Sequence, residues 1–588
     1  MDKLNWHGFV SLQSNTKHYH PMFNTSDLFP YQFDSKYSKP VAYFSMEFAI
    51  DQPLKSYSGG LGFLAGSHLR SAYELKQNLV GIGILWKKGY YDQERNQDQT
   101  LKVNLRDKEY FFLTDTKIIF PITIHGAKVY VKAFLLKPEV FNTVPLFLLT
   151  TDIPENDYLA QTISHRLYDP NETTRIAQSI LLGAGGAKLL DVLQRHTEIY
   201  HMNEGHALPL CFYLLDKYKD IDEVKKRVVF TTHTPEKAGN EEHSVPLLNN
   251  MSFFNGLTTR QVEEHVSPEN GILNYTLTAL RMAKIANGVS QLHGEVSRRM
   301  WSGYNGICEI TAITNAQNKT YWRDSELDQA LERNDDAALV SRKKNLKNKL
   351  FKTVANQTGK LFDENVLTIV WARRFAGYKR ANLILSDFTR FLKIATNKKY
   401  PIQIIWAGKP YPEDFGAINI FNEIFWKTKD LPNCTVVTGY ELWLSGHLKK
   451  GSDIWLNNPK MYHEASGTSG MTAAMNASIN LSIPDGWVPE FAKDKKNAYI
   501  IETASDILPG DEKDKIEAQN LLNLLEFEII PTYYERPEEW VNIMKSSMRD
   551  VVPYFDAGRM ADEYYQKLYN YKSAAGLSLT QDSNQYAA

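Results

Sequence analysis

The sequence predicts an α/β protein built on parallel sheets, folded as two domains that face each other across a cleft. Three observations carry this. Short apolar runs rich in Val, Ile, Phe and Trp recur along the chain, each closed by glycine, a polar turn or a helix-like stretch. Amphipathic stretches separate several of them, the alternation of strand and crossover helix that parallel sheets require. The 588 residues also exceed one ordinary core, at roughly 100 to 200 residues per domain. Tandem α/β domains leave a cleft outside the carboxyl ends of their strands, so the chemistry is sought in strand-end loops.

The strand candidates are PVAYFSMEF (40–48), LVGIGILW (79–86), TEIYHMN (197–203), RVVFTTHTP (227–235), NVLTIVWA (365–372), IQIIWAG (402–408) and TVVTG (435–439). Between them, TRIAQSILLGAGGAKLLDVL (174–193) and NYTLTALRMAKIANGVSQL (274–292) read as amphipathic helices. From about 100 to 150 the chain alternates polar and apolar residues, which reads as antiparallel hairpins inserted into the first domain. RKKNLKNKL (342–350) reads as a solvated helix face, and the boundary is placed there. The expectation is an N-terminal domain over 1–345, a linker over 346–361, a C-terminal domain over 362–572 and a frayed polar tail over 573–588.

Composition narrows the function. An apolar fraction of 43% with 23% charged residues is that of a soluble globular protein. Lys and Arg (67) nearly balance Asp and Glu (68), so nothing global draws the chain to nucleic acid or an anionic membrane. Any anion it binds must be held by local groups. Cys211, Cys308 and Cys434 lie far apart without metal-ligand spacing and read as reduced thiols. MDKLNWHGFVSLQSN lacks the apolar core of a secretory signal, and no run of about 18 apolar residues occurs, so a cytoplasmic location is expected.

Six loops could carry chemistry. In SYSGGLGFLAGSHLRSA (56–72), Gly59, Gly60 and Gly62 form a turn entering a helix, where backbone N–H groups could meet an anion or a sugar oxygen. A plain strand-to-helix turn accounts for it equally well. Asn203, Glu204 and His206 in HMNEGHA (201–207), and His233 in TTHTPEKAGNEEH (231–243), stand at strand ends, able to bond hydroxyls. Ordinary polar loops are the plainer reading there. A metal would need His201, Glu204 and His206 to converge, and the two-residue period of a strand puts Glu204 on the opposite face, so none is expected. WARRFAGYKRANLIL (371–385) places Arg373, Arg374, Lys379 and Arg380 just after a buried strand; a basic cluster is commonly a solvated face, but forked guanidinium groups at a cleft suit phosphate. Lys409, in WAGKPYPED (406–414), reads singly as a surface lysine. In EASGTSGMTAAMN (464–476), Gly467, Thr468, Ser469 and Gly470 precede a helix whose start suits an anion, while Glu464 suits a sugar hydroxyl. Phosphate and sugar together point to glycosyl phosphate chemistry.

In order, SGGLGFLAG (58–66), GYYDQ (89–93), HMNEGHAL (201–208), TTHTP (231–235), GVSQLHGEVSRRMW (288–301), ARRFAGYKR (372–380), DIWLNNP (453–459) and EASGTSGM (464–471) resemble the α-glucan phosphorylases, most of all their short bacterial type. The resemblance spans about residues 40 to 490. It implies the GT-B architecture, two Rossmann-like domains facing a central cleft. It also implies degradation of α-1,4-glucan or maltooligosaccharide by inorganic phosphate to glucose 1-phosphate, with retention at the anomeric carbon. Many members are homodimers, and their cofactor is pyridoxal phosphate, acting through its own phosphate. Residue by residue, Arg374 and Lys379 match the basic residues that hold the substrate and cofactor phosphates, beside Arg373. His233 matches the histidine beside the glucosyl residue, and Glu464 the acid that accepts hydrogen bonds from sugar hydroxyls. Gly60 and Leu61 match the backbone loop near the substrate phosphate, and Gly467 and Thr468 the loop against the phosphates.

The departure is Thr472. It stands where the family has the lysine that forms the Schiff base with pyridoxal phosphate, and a hydroxyl cannot form an imine. Lesser departures are Asn315-Ala316 for a typical Asn-Gly and Lys409-Pro410-Tyr411 for Lys-Ala-His, and the long N-terminal regulatory extension of the large phosphorylases is not matched. Three readings follow: a phosphorylase that holds pyridoxal phosphate or another phosphate donor noncovalently, a retaining glucosyltransferase using a nucleotide sugar, or a noncatalytic glucan-binding protein. The retained Arg374, Lys379, His233 and Glu464 favour the first.

Overall fold

The structure is a computed structural model that describes residues 25–236 and 239–572; the expected tail, 573–588, lies outside the described residues. Its strands are β1 (Val41–Phe44), β2 (Leu79–Ile84), β3 (Asp92–Arg95), β4 (Leu101–Asn104), β5 (Thr114–Ile124), β6 (Ala127–Leu136), β7 (Leu146–Thr150), β8 (Ile199–Asn203), β9 (Val228–Thr231), β10 (Glu242–Ser244), β11 (Ile272–Asn274), β12 (Ile285–Gly288) and β13 (Glu309–Ala312), followed by β14 (Leu367–Ala372), β15 (Ile402–Ala407), β16 (Cys434–Val437), β17 (Ile454–Asn457), β18 (Ile479–Ser482) and β19 (Ala498–Ile500). Among the described residues no helix is long and apolar enough to cross a membrane.

Two large sheets organise them. The first runs β13-β12-β9-β8-β1-β2-β7-β6-β5, parallel from β13 to β7 and antiparallel at β6 and β5. The second runs β16-β15-β14-β17-β18-β19 and is parallel throughout. β1, β2, β14 and β15 are buried along their whole length, as strands covered by helices on both faces must be. Counted from β14, the second sheet has the order 3-2-1-4-5-6 of doubly wound folds, and the direction of winding reverses between β14 and β17. In the first sheet the reversal falls between β1 and β8. Each reversal opens a crevice outside the strands' carboxyl ends.

Several sequence expectations are corrected. The stretch 274–292, read as one amphipathic helix, is the helix Tyr275–Met282, then β12, then the start of the helix Gln291–Trp301. Its middle, IANG, is a short, fully buried run, which periodicity alone cannot tell from helix. Within the alternating stretch, β5 and β6 continue the first sheet beyond β7, while β4 pairs with β3 as a separate ribbon. RKKNLKNKL lies in the helix Asp336–Thr358, and its face is not simply solvated, since Lys343 and Lys347 are buried. Lys343 Nζ donates to the carbonyls of Lys450 (3.0 Å) and Asn476 (2.8 Å) and to Ser478 Oγ (2.9 Å). That helix fills most of the stretch 346–361 and packs on the second sheet through Leu339, Leu346, Leu350 and Val354. The end of the chain returns to the first sheet, where Met560, Tyr564, Tyr565 and Tyr569 pack with Val41 and Tyr43.

A seam of side chains from both halves, including Tyr57, Phe63, Trp322, Met471 and Trp487, closes one side of the cleft. On the other, the β3 ribbon crosses to the second sheet: Gln93 Nε2 donates to Gly408 O (2.8 Å), and Gly439 N–H to Gln93 Oε1 (3.0 Å).

The first core also holds a group whose titration is readable. His68 is fully buried against Tyr43 and Tyr564, neither ring nitrogen has a hydrogen-bond partner among the described residues, and burial pushes its pKa down to about 3. The unfolded chain, at about 6.5, then takes up the proton first. Stability contributed by the neutral ring is complete above that pH and falls as pH drops toward 3, by up to about 1.4 kcal/mol per pH unit. The His68→Phe variant is expected to lose less stability than the wild type between about pH 7.5 and about pH 5, measured by urea midpoints.

Candidate active site

Both crevices open on the same space. After β14 come Arg373 and Arg374; after β15, Gly408 and Lys409; after β17, the loop from Glu464 to Ser469. After β1 comes Glu47, and after β8, Glu204 and His206.

Arg373 is buried. One arm bonds Asn457 Oδ1 at the end of β17, the other lies 3.5 Å from Ser469 Oγ, and among the described residues Nε has no partner. Gly408 lets this corner close: its φ is +146°, and a Cβ there would stand 1.8 Å from the Arg373 carbonyl oxygen. Lys379 Nζ donates to Glu464 Oε2 at 2.6 Å, and Arg373 approaches the same oxygen at 3.7 Å. Burial pushes the Glu464 carboxyl up, but Lys379 and Arg373 outweigh it and hold the pKa below the ordinary value, so Glu464 is an anion and an acceptor. The Glu464 N–H donates to Asp485 Oδ2 (2.9 Å), and Gly467, at φ +84°, turns the chain beside it. Arg374 differs from its neighbours. It is exposed to the cavity and has no carboxylate partner among the described residues.

On the opposite wall, the glycine turn is held from below by Glu47, which the sequence reading missed. Its carboxylate is buried and accepts from Ser58 N–H (2.7 Å), Ser58 Oγ (2.8 Å), Gly59 N–H (3.0 Å) and Tyr168 Oη (2.7 Å). Open space lies where a Cβ on Gly59 or Gly60 would stand. Glu204 has φ +72°, a strained backbone for this residue; its side chain secures it by accepting from Gly205 N–H (3.0 Å), His233 N–H (2.7 Å) and Thr234 Oγ1 (3.2 Å). His233 Nε2 lies 2.7 Å from Asn203 Oδ1, and Asn203 Nδ2 donates to Ser45 Oγ (3.1 Å). That network places the His233 proton on Nε2 and leaves Nδ1 an acceptor. Burial, then His293 and His206, push the His233 pKa down to about 3, so the ring is neutral near pH 7.

The inner cavity, about 280 Å³, is lined by Gly60, Leu61, His233, Arg373, Arg374, Lys379, Glu464, Gly467 and Thr468. An adjoining space of about 650 Å³, lined by Leu61, Glu204, His206, His233 and Arg374, leads outward. Asn203 and Thr472 line neither: Asn203 sits behind His233, and Thr472 is buried with Oγ1 donating to Ser469 O at 3.0 Å. Lys409 is corrected from surface to buried; its Nζ donates to Tyr91 O (2.8 Å) and pairs with Glu441 (3.0 Å) at the cavity wall. Its position after a strand-end glycine was the available signal. Tyr90, Tyr168, Tyr378 and Tyr440 also line the space and were not singled out from sequence. His201 lies within β8 between Tyr569 Oη (2.8 Å) and Thr231 Oγ1 (2.7 Å). Among the described residues no three His, Cys, Asp or Glu side chains are grouped as a metal site.

Residues 273–502 match the family model for carbohydrate phosphorylases. An uncharacterized protein of Methanocaldococcus jannaschii is 49% identical over 90% of this chain and 100% of its own. The maltodextrin phosphorylase of Thermococcus litoralis is 34% identical over 93% of this chain and 72% of its own. The glycogen phosphorylase of Aquifex aeolicus is 31% identical over 92% and 87%. With two named phosphorylases matched at this identity along most of both chains, this chain belongs to the α-glucan phosphorylase family.

Proposed function

We propose that this protein is an α-glucan phosphorylase of GT-B architecture, transferring a glucosyl unit from the end of an α-1,4-glucan to inorganic phosphate with retention. The observation that carries the reading is the pairing of Arg374, a cavity cation with no carboxylate, with a sugar-type wall of His233 and Glu464 across the same space. Arg374 is free to fork onto phosphate oxygens. Glu464, kept charged by Lys379 and Arg373, accepts hydrogen bonds from hydroxyls and does not serve as an acid. A neutral His233 adds a polar contact to a sugar without placing a second positive charge beside an oxocarbenium-like transition state. The wider outer space suits a chain of glucosyl units.

The cavity also bears on pyridoxal phosphate, the cofactor of this family. The residues fit its phosphate: Arg373 is buried with an unpartnered Nε beside Ser469, and the glycine turn leaves open space opposite. Arg373, Ser469 and the loop at Gly467 and Thr468 would hold it. Bound there, the group would supply a phosphate able to exchange a proton with the substrate phosphate. Thr472 offers it no amine.

The test is incubation of the purified protein with maltooligosaccharide and phosphate, with and without pyridoxal phosphate. Release of α-glucose 1-phosphate, increased by the cofactor, is the expected result. Nucleotide release with chain growth from UDP- or ADP-glucose would replace phosphorolysis by nucleotide-sugar transfer. Glucan binding without turnover of any donor would make the protein noncatalytic.

A further inference from the structure

A lysine with no acid to hold its proton lies beside the inner cavity. Lys449, in the helix Leu442–Gly451, is 1% exposed. Its Nζ stands 3.8 Å from the ring centroid of Trp322 and 5.1 Å from that of Phe63, and among the described residues it makes no hydrogen bond or ion pair. Phe63 lines the cavity, and Trp322 packs on Phe63 with ring centroids 5.6 Å apart. One turn earlier on the same helix, Ser445 Oγ donates to Tyr440 Oη (3.3 Å), and Tyr440 lines the cavity too. A spacing of four residues puts Lys449 on that same face. The helix also packs against Ser469–Ala474, the helix that carries Thr472.

Packing does not account for an amine here. Its amine is set against the rings of Phe63 and Trp322, members of a buried apolar cluster where a methionine or leucine would fit without desolvating a cation. Other lysines nearby are committed: Lys379 and Lys409 to carboxylates, Lys343 to three oxygens. Burial alone pushes the Lys449 pKa far below the ordinary lysine value, which favours the neutral, nucleophilic form.

We propose that Lys449 supplies the amine that Thr472 lacks, and that this chain attaches the aldehyde of pyridoxal phosphate from the neighbouring helix. The inference rests on the cofactor reading above. The flexible four-carbon stem lets Nζ turn past the Phe63 ring toward the cavity. The Nζ lone pair forms the bond to the aldehyde carbon. Two N–H protons leave with the aldehyde oxygen as one water, and a C=N bond results without oxidant or reductant.

The experiment treats the full chain with equimolar pyridoxal phosphate, reduces it with borohydride and locates the pyridoxyl group by peptide mass mapping. The expected result is label on the peptide containing Lys449, its loss in Lys449→Met, and its return at position 472 when Thr472→Lys is added to that variant. The unaltered chain decides the matter even if Lys449→Met does not fold: label absent, or on another lysine with Lys449 unmodified, overturns the proposal. Release of glucose 1-phosphate is followed separately. Phosphorolysis without label at Lys449 would sink this inference and leave the phosphorylase reading; label without phosphorolysis would do the reverse.

Discussion

In the Arg374→Met variant, phosphorolysis of maltooligosaccharide is expected to fall by about 10² to 10³-fold. Each other cation at the inner cavity has a protein oxygen to serve: Arg373 bonds Asn457, Lys379 pairs with Glu464, and Lys409 pairs with Glu441. Among the described residues Arg374 has no carboxylate partner, so its charge is left for an incoming phosphate. Charge fixed before the reaction stabilises the transition state without reorganising, and one such donor is worth about 2.7 to 4 kcal/mol. Arg374→Lys should restore part of the rate, because an ammonium keeps the charge and loses the fork. Folding should be little affected, by about 1 kcal/mol or less, since the side chain is exposed to the cavity and its protein partner is the Tyr378 hydroxyl rather than a carboxylate. The measurements are kcat/KM for phosphate at saturating glucan and the melting temperature. Turnover within about twofold of wild type would remove Arg374 from the phosphate wall.

The contrast between Arg374 and its neighbours also marks how far the sequence could be read. Strands such as LTIVWA and IQIIWA declare themselves because both faces are buried and nearly every residue is apolar. The motifs at their carboxyl ends were legible for the same reason: a basic or polar residue at the end of a buried strand must face a crevice. That His233, Arg374, Lys379 and Glu464 meet at one cavity depends on two winding reversals that lie opposite each other, which no local pattern encodes. Glu47 was invisible because its partners, Ser58 and Tyr168, lie 11 and 121 positions away. β12 was lost inside a helical pattern because four apolar or small residues carry no period. Lys343, Lys347 and Lys409 were missed by a common error. Charge was taken as a sign of solvent, whereas carbonyls and carboxylates from distant segments receive these lysines. The absence of an amine at Thr472 was plain in the sequence; the amine one helix away became visible only through packing.

Lys347 is where the largest loss of stability is expected. Its Nζ lies 2.5 Å from Asp453 Oδ2 and donates to Val366 O (2.7 Å), and both members of the ion pair are buried. Asp453 Oδ2 also accepts the Thr368 N–H at 2.8 Å. The pair therefore ties the helix Asp336–Thr358 to the entry ends of β14 and β17, the strands that flank the reversal in the second sheet. Lys347→Met leaves the Asp453 carboxylate buried with one N–H to answer it, a change that costs about 3 to 5 kcal/mol. Asp453→Leu alone strands the ammonium by the same logic. Replacing both together should recover most of the loss, because the desolvation of two charges disappears with them. Lys344 is the control: exposed on the same helix and bonded to Asn365, it should cost less than about 1 kcal/mol when changed to methionine. Urea midpoints of the wild type and the four variants test this, and a Lys347→Met loss under about 1 kcal/mol would show that the pair does not hold the helix to the sheet. Because the pair sits at the entry ends of the strands and the cavity at their carboxyl ends, turnover per folded molecule should stay at the wild-type level. Stability and catalysis then separate along the length of the same two strands.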